Sequence, residues 1–389
     1  MASSTLELTG LNFNLTEEHL AVQEAARDFA QNDLLPGVIE RDSEAKFPAE
    51  QVKKMGELGF LGMMVAPEYG GGGMDTVSYV IAMEEISKVD ASCSVIMSVN
   101  NSLVCWGLET YGSEEQKQKY LTRLASGEII GAFCLSEPEA GSDATSQTTT
   151  AFDQGDHYLL NGTKNWITNG NSSGVCLVMA QTDVEKKHKG INCLIVEKGQ
   201  PGFVVGKKED KMGIRASDTH SLMFTDVKVP KENRIGPEGF GFKFAMSTLN
   251  GGRIGIAAQA LGIAAGAYEL ALKYSQERKS FGRRIFDHQA IQFKLAEMAT
   301  RIEAARLLVY KAARLKDEGK DYVQAAAMAK LYASDVAMWA TTEAVQVHGG
   351  YGYVKEFHVE RLMRDAKITQ IYEGTSEIQK LVIARELVK

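Results

Sequence analysis

Few residues of this chain could do chemistry, and none of them forms a nucleophile or metal motif. There is no GxSxG nucleophile elbow, Walker phosphate loop, CxxC pair or HExxH zinc motif, so no metal is expected. The remaining candidates are the carboxylate Glu373, the guanidinium Arg278 and the aromatic Trp166. A carboxylate can move a proton, and an arginine's planar fork of donors suits a diphosphate. From its type alone, Glu373 is more often an acid in a first helical turn and Arg278 a cation at a helix end, while Trp166 fits a packing aromatic equally well.

Glycines form a second candidate site at Gly349-Gly350-Tyr351-Gly352-Tyr353. A dinucleotide-binding GxGxxG turn must follow a strand, whereas this cluster follows a helical pattern, so a Rossmann site is not indicated. From spacing alone the cluster predicts a helix C-cap and a turn.

Three regions of different periodicity must position these residues. Residues 14–126 show helical spacing with start signals at Thr16, Pro48, Asp75 and Ser113. Residues 128–237 show short β-rich runs separated by turn residues, which predicts an antiparallel sandwich or barrel. Long helical patterns follow, including one predicted helix over Ile368–Leu387. We expect an α+β fold with an all-α N-terminal domain (1–126), a central antiparallel β-barrel or sandwich (127–238) and a C-terminal four-helix bundle (239–389).

Composition narrows the classes of protein. The 389 residues are 44% hydrophobic and 24% charged with net charge −7, and no basic run could follow a phosphate backbone, so nucleic acid is not an expected partner. The five cysteines are odd in number and lie in apolar surroundings, which indicates reduced, buried thiols. No apolar run is expected to reach the roughly 20 residues that a membrane-spanning helix needs. Met1–Gly10 lacks secretory or transit character, which favours the bacterial cytoplasm, or the mitochondrial matrix for a processed eukaryotic enzyme.

Five blocks in order resemble the acyl-CoA dehydrogenase family. Their residues are Leu135-Ser136-Glu137-Pro138 with Gly141-Ser142-Asp143; Asn161-Gly162-x-Lys164-x-Trp166-Ile167-Thr168-Asn169; Arg278-x-x-Phe281-Gly282 with Gln289; Gln346-x-x-Gly349-Gly350-x-Gly352-Tyr353 with Arg364-Asp365; and Ile371-Tyr372-Glu373-Gly374-Thr375. The resemblance spans nearly the whole chain. Residues 95–103 and 206–215 resemble the short-chain members.

The resemblance implies an FAD cofactor. In the family, residues 133–142 and 166–168 form a wall of the flavin site, where hydroxyls such as those of Ser136 and Thr168 can bond the flavin edge. In relatives, Arg278 and residues 346–350 reach the FAD of a neighbouring subunit, which implies a homotetramer. The implied FAD contacts are Phe133, Leu135, Ser136, Gly141, Ser142, Trp166, Ile167, Thr168, Arg278, Phe281, Gln289, Gln346, Gly349, Gly350, Thr375 and Glu377.

The resemblance also implies the reaction. Glu373 takes the α-proton of a short-chain acyl-CoA, the β-hydrogen leaves as hydride to flavin N5, and a trans-2-enoyl-CoA forms. Some relatives place the base immediately before the arginine of the long helix, where this chain has Gly252, so Glu373 is the candidate. Asn250 replaces an aspartate of many relatives, while Arg253 is expected to contact CoA. The implied substrate contacts are Ser142, Asn250, Arg253, Tyr372 and Gly374.

Electrons would then pass to an electron transfer flavoprotein. Two alternatives within enzymes keep the flavin blocks: a dehydrogenase of a branched or cyclic acyl-CoA, and an acyl-CoA oxidase. A third alternative is a redox-silent relative that serves in assembly, which would be expected to lack the base or the flavin contacts.

Overall fold

The computed structural model describes residues 14–389, so the segment Met1–Gly10 lies outside the described residues. The first region is helical, as predicted. A π-helical segment, Val99–Cys105, joins two of its helices into one continuous rod. The helices are α1 Glu17–Phe29, α2 Val38–Ser43, α3 Ala49–Glu57, α4 Thr76–Val89, α5 Ala91–Ser98, α6 Trp106–Tyr111, α7 Glu114–Gln116 and α8 Thr122–Ala125.

The predicted start signals of these helices are confirmed. The Thr16 hydroxyl accepts a hydrogen bond from the His19 backbone N–H at the start of α1. Asp75 accepts from the third residue of α4 at 2.7 Å. Ser113 and Gln116 form the predicted reciprocal capping box at the start of α7. Each cap satisfies an N–H group that the first helical turn leaves without a partner.

The middle of the chain is one eight-stranded sheet in the order β6-β7-β3-β2-β4-β5-β8, with β1 paired to β4. Neighbours are mostly antiparallel, but β1 and β2 pair with β4 in parallel. The sheet is therefore mixed rather than wholly antiparallel, because the chain crosses over through residues 135–174 before β4. Within residues 14–389 the end strands do not pair with each other, so the barrel expected as one option is not closed. The strands are β1 Gly131–Cys134, β2 Thr150–Asp153, β3 His157–Thr168, β4 Val175–Gln181, β5 Ile191–Glu197, β6 Phe203–Lys208, β7 Thr219–Pro230 and β8 Arg234–Ile235.

The last region returns to long helices, as predicted. Three of them, α9, α10 and α11, pack on one another, and α4 of the first region packs against α9 and α10. One hydrophobic core therefore runs through both helical regions. The elements are α9 Gly241–Glu277, β9 Lys279–Ser280, β10 Arg283–Arg284, α10 Gln289–Asp317, α11 Val323–His348, α12 His358–Ile368 and α13 Ser376–Glu386.

The prediction of one helix over Ile368–Leu387 is wrong. Helix α12 ends at Ile368, and α13 begins only at Ser376, where the Thr375 hydroxyl accepts from a backbone N–H of its first turn. Between them Glu373 and Gly374 have φ angles of 52° and 90°, which no right-handed helix accommodates. The candidate base thus lies in a turn.

Two rods, Ala91–Tyr111 and Gly241–Glu277, are long and apolar enough to cross a membrane by length and composition, which corrects the expectation that no such run exists. Inside the fold, 94% and 83% of their apolar windows are buried. Burial in the core accounts for their apolar character. All five cysteines are buried free thiols, which confirms that prediction.

The Arg364-Asp365 block joins all three regions of the fold. Asp365 is buried on α12 and accepts from Arg361 at 3.0 Å and from the Ile214 backbone N–H of the middle region at 2.5 Å. Arg364 donates to Asp42 of the first region at 2.7 Å. Helix α12 leads directly into the Glu373 turn. These contacts therefore fix the position of the helix that precedes the turn.

Replacing Asp365 by Asn should destabilise the protein by about 3 kcal/mol, because Arg361 would then be a buried cation without its carboxylate partner. Urea unfolding of the holoprotein gives the loss. The matched control is Glu128→Gln, which removes a carboxylate from an exposed pair with Arg123 at 2.8 Å and should cost less than about 1 kcal/mol. Equal small losses in both variants would show that the junction does not depend on this charge.

Candidate functional site

The Glu373 turn is held by two side chains beneath it. Gln379 of α13 donates to the Glu373 carbonyl at 3.3 Å and to the Gly374 carbonyl at 2.8 Å. Lys330 of α11 donates to the same Gly374 carbonyl at 2.7 Å. A Cβ on Gly374 would lie 2.7 Å from the Gln379 amide nitrogen, and its φ of 90° also requires glycine.

The Glu373 carboxyl group is in an unusual environment for an acid. Its Oε2 atom is buried and has no hydrogen-bond partner within residues 14–389. Burial raises the pKa of this carboxyl to about 7, against the opposing effects of Lys330 and Arg253. A carboxyl group with this pKa can accept or release a proton near neutral pH.

Helix α9 has two glycines where it passes the carboxylate. A Cβ on Gly252 would lie 2.2 Å from Oε2 of Glu373 and 2.7 Å from the Leu103 side chain. The adjacent Gly251 has only one atom near its Cβ position, the Lys316 Nζ at 3.7 Å. Gly252 therefore provides the space that the carboxylate occupies, whereas Gly251 does not.

A hydrogen-bonded group closes the space beside Glu373. The Tyr372 hydroxyl donates to Gln259 of α9, whose amide donates to the Ala91 carbonyl at 2.9 Å. Beside Gly255, one turn before Gln259 on α9, the Tyr79 hydroxyl of α4 donates to Ser98 at 3.1 Å. Sequence reasoning identified Tyr372 but missed Gln259, Tyr79, Lys330 and Gln379.

Lys330 carried a detectable signal in the sequence. It lies in Ala325-Ala326-Ala327-Met328-Ala329-Lys330, and the helical repeat places it on the face that buries Ala326, Ala329 and Ala333. A single lysine on an otherwise alanine-lined helix face indicates a buried, partnered amine. Gln259 offered no comparable signal, because glutamine is common on helix surfaces.

The Asn250–Arg253 segment lies on the same part of α9. Arg253 is buried and donates to the Asn250 side chain at 2.6 Å. Its Nε has no partner in the described part of the chain. The guanidinium therefore retains a donor for a further acceptor.

The predicted flavin wall is formed by two connected segments of the middle region. The Asn165 N–H donates to the Ser136 carbonyl at 2.9 Å, which ties the segment after β1 to β3. Behind them Lys164 and Glu137 form a fully buried ion pair at 2.7 Å. The Phe133 ring stacks near Phe244 of α9, with centroids 6.4 Å apart, so this wall faces the beginning of α9.

Polar groups of the wall are free to bind. The hydroxyls of Ser136, Ser142 and Thr168 have no hydrogen-bond partner elsewhere in residues 14–389, and a Cβ on Gly141 would meet no atom within 4 Å. Trp166 has a φ of 61° and is 61% exposed, while the next residue, Ile167, is buried. Neutral donors beside a large aromatic surface suit the polar edge and the flat face of a flavin.

A second group of predicted contacts lies elsewhere. Arg278 caps the C-terminal end of α9, with its guanidinium 5.4 Å from the centroid of the Tyr351 ring. Phe281 is 94% exposed in the following hairpin. From Phe244 to Arg278 the helix axis runs about 50 Å, so this group is remote from the flavin wall. Gln289, Gln346, Gly349 and Gly350 are also exposed.

The structure thus brings the flavin wall, Asn250, Arg253 and the Glu373 turn together on the first half of α9. Thr375 and Glu377 lie at the start of α13, adjoining the turn. Residues 95–103 supply Leu103 to the same place, whereas Gly213 and Ile214 of residues 206–215 lie at the domain junction. Among residues 14–389, no group of three or more acidic, His or Cys side chains could hold a metal ion.

Models of three domains of one family match successive parts of the chain. The acyl-CoA dehydrogenase N-terminal domain matches residues 16–128, the middle domain residues 132–227 and the C-terminal domain residues 239–388. Together they leave only short segments unmatched.

Similar proteins come from several bacteria. The short-chain specific acyl-CoA dehydrogenase of Clostridium acetobutylicum is 54% identical over 377 residues, 97% of this chain and 100% of that protein. The structure of butyryl-CoA dehydrogenase from Megasphaera elsdenii has a TM-score of 0.96 at 50% identity, covering 97% of this chain and 100% of that one. A chain in a structure described as the electron transferring flavoprotein of Acidaminococcus fermentans has the same TM-score, coverage of 97% and 100%, and 54% identity. This chain belongs to the acyl-CoA dehydrogenase family, whose members are FAD-dependent oxidoreductases.

Proposed function

We propose that this protein converts short-chain acyl-CoA thioesters of the butyryl-CoA type to trans-2-enoyl-CoA. The observation that carries the proposal is the Glu373 carboxyl group, which is buried, lacks a hydrogen-bond partner at Oε2 and has its pKa raised to about 7. A base with this pKa is deprotonated in a large fraction of molecules at neutral pH and still binds a proton well. Glu373 takes the α-proton of the thioester.

The same turn supplies a donor for the thioester carbonyl. Loss of the α-proton places negative charge on the carbonyl oxygen, which needs a positioned hydrogen-bond donor. The Glu373 backbone N–H donates to no acceptor within residues 14–389. Glu373 therefore offers both a base, its carboxylate, and a hydrogen-bond donor, its backbone N–H. The backbone of the turn fixes the position of one relative to the other.

The flavin wall and the start of α13 would hold FAD in this chain. Ser136, Ser142 and Thr168 would donate to the ring's polar edge, and Trp166 would cover part of its surface. When bound, FAD supplies the oxidant that accepts the β-hydrogen of the substrate as hydride. Arg253 and Asn250 would hold the CoA part, because they lie on α9 within one turn of Gly252, which adjoins the Glu373 carboxylate.

A second copy of the chain would complete each flavin site. Arg278, Phe281, Gln289, Gln346, Gly349 and Gly350 are exposed and lie about 50 Å along α9 from the wall, farther than one bound FAD could bridge. We infer that they contact the FAD of a partner subunit in a homotetramer.

An electron transfer flavoprotein is the proposed acceptor of the electrons, since a similar chain occurs in a structure described by that name.

Side chains beside the turn support a short substrate. The hydroxyl of Tyr372, next to Glu373, donates to Gln259 of α9, and a Cβ on Gly255 of the same helix would lie 2.6 Å from the Tyr79 hydroxyl. These groups fill volume that a long acyl chain would need. The methylenes of such a chain, worth about 0.8 kcal/mol each when they fit, would instead overlap protein atoms.

We propose the bacterial cytoplasm or the mitochondrial matrix as the compartment.

Anaerobic bleaching of the bound flavin tests the proposal. Purified holoprotein is mixed with straight acyl-CoAs from C4 to C16 and with isobutyryl-CoA and isovaleryl-CoA. We expect the fastest bleaching with the C4 and C6 straight chains and little with C12 and longer. Faster bleaching by a branched thioester would favour a branched substrate, and bound flavin that no member of the series reduces would favour a cyclic one. Rapid reoxidation of the reduced enzyme by O₂ would favour an oxidase.

Replacing Glu373 by Gln tests its role in the same assay. The variant should keep its FAD, yet bleaching by butyryl-CoA should slow by a factor of about 10²–10⁴ or more, since only the base is lost. Glu128→Gln, which changes an exposed acid outside the predicted contacts, is the control and should bleach at nearly the wild-type rate. A near-normal rate in Glu373→Gln would place the base elsewhere.

The fit between α9 and the carboxylate gives a further prediction. Gly252→Ala would place a Cβ 2.2 Å from Oε2, so the carboxylate must move and butyryl-CoA bleaching should fall at least tenfold. Gly251→Ala, whose Cβ meets nothing closer than 3.7 Å, should change the rate little. Flavin absorbance and the melting temperature of each variant separate misfolding from misplacement. Equal rates in both variants would contradict the described contact.

A further inference from the structure

Lys330 is a buried cation whose hydrogen bond goes to a neutral group. Its side chain is fully buried on α11, and within residues 14–389 its Nζ donates only to the Gly374 carbonyl, at 2.7 Å. A buried ammonium usually pairs directly with a carboxylate, because removing a charge from water costs several kcal/mol. The position of Lys330 under the turn therefore needs a reason beyond the hydrogen bond.

Gln379 already supplies that hydrogen bond without a charge. Its amide donates to the Gly374 carbonyl at 2.8 Å and also reaches the Glu373 carbonyl. A second neutral donor would complete the carbonyl's two lone pairs equally well. What Lys330 adds is a positive charge next to the residue that carries the carboxylate.

The charged groups around the turn make Glu373 the main counter-charge of Lys330. Those that face Glu373 are Lys330 on α11, Arg253 on α9, Tyr79 on α4 and Tyr372 of the turn itself. Burial lowers the pKa of Lys330 to about 8, so its amine is still mostly protonated at neutral pH. The charged groups that act on it are, in decreasing order, Glu373, Arg253, Asp335 and Glu377. Of the two cations that oppose the rise in the Glu373 pKa, Lys330 has the larger effect.

We propose that Lys330 is a positioning residue of the proposed reaction, which holds the Gly374 carbonyl and places its buried positive charge beside the Glu373 carboxylate. The inference rests on the proposed function only for its catalytic consequence; the electrostatic link itself is a property of the resting protein. Gln379 fixes the turn, and Lys330 both fixes it and favours the ionised form of the carboxylate.

The sign of the effect follows from the charge. Removing the cation leaves the buried carboxylate less stabilised, so the pKa of Glu373 rises. More of the base is then protonated at neutral pH and cannot take the α-proton. A purely structural role for Lys330 would lower the rate without changing this titration.

Infrared spectroscopy of the holoprotein measures the titration without any substrate. The band of the protonated Glu373 carboxyl group is assigned by its absence in Glu373→Gln and followed against pH. We expect a midpoint near pH 7 in the wild type, about one pH unit higher in Lys330→Met, and unchanged in the matched control Gln379→Leu. Below the midpoint, flavin bleaching by butyryl-CoA in Lys330→Met should be about tenfold slower than in the wild type at the same pH.

An unchanged midpoint in Lys330→Met, or an equal shift in Gln379→Leu, would overturn the proposal. If Lys330→Met fails to fold or to retain FAD, Lys330→Gln, which keeps a donor without the charge, should show the same rise, and an unchanged midpoint there would equally overturn it. Failure of the proposed function has a different signature: butyryl-CoA would not bleach the wild type, while the infrared midpoints would still report on Lys330.

Discussion

A carboxylate oxygen buried without a hydrogen-bond partner, Oε2 of Glu373, is the constraint on which the rest of this structure depends. Leaving one buried polar atom unsatisfied costs about 1–3 kcal/mol, and a non-glycine residue in the left-handed region costs a similar amount. Glu373 carries both costs. Such an arrangement persists only where its surroundings allow no alternative, and the contacts of Gln379, Lys330 and Gly252 with the turn meet that condition.

Helix α9 organises the site because the flavin wall, the Glu373 carboxylate and Tyr372 each contact the first half of this one rod. Phe244 packs near the flavin wall, Gly252 makes room for the carboxylate, and Gln259 accepts from the residue next to it. The far end of the same rod presents Arg278 to the surface. A rigid helix about 55 Å long thus separates the residues of one site from those that we assign to a partner's site.

The sequence predicted the order of the three regions, the caps at Thr16, Asp75 and Ser113, and the candidate base, because each depends on local periodicity, on capping chemistry or on a motif. It did not predict the parallel pairing of β1 with β4, since strand direction is decided by a crossover of some 40 residues. It also extended α13 through the Glu373 turn, because apolar spacing continued past a break that Gly374 and Thr375 signal. Gln259 acts across helices, and a single-helix pattern contains no record of such a contact, whereas the alanine-lined face around Lys330 does indicate a buried amine.

The central claim is that the Glu373 carboxylate takes the substrate proton with a pKa near 7. Its most direct test is the second-order rate of flavin bleaching by low concentrations of butyryl-CoA, measured in single turnovers from pH 5 to pH 9. The account predicts a rate that rises tenfold per pH unit on the acid side and levels off above about pH 7. A rate that stays constant down to pH 5 would contradict it, because a base with the ordinary pKa of a glutamate would then be at work.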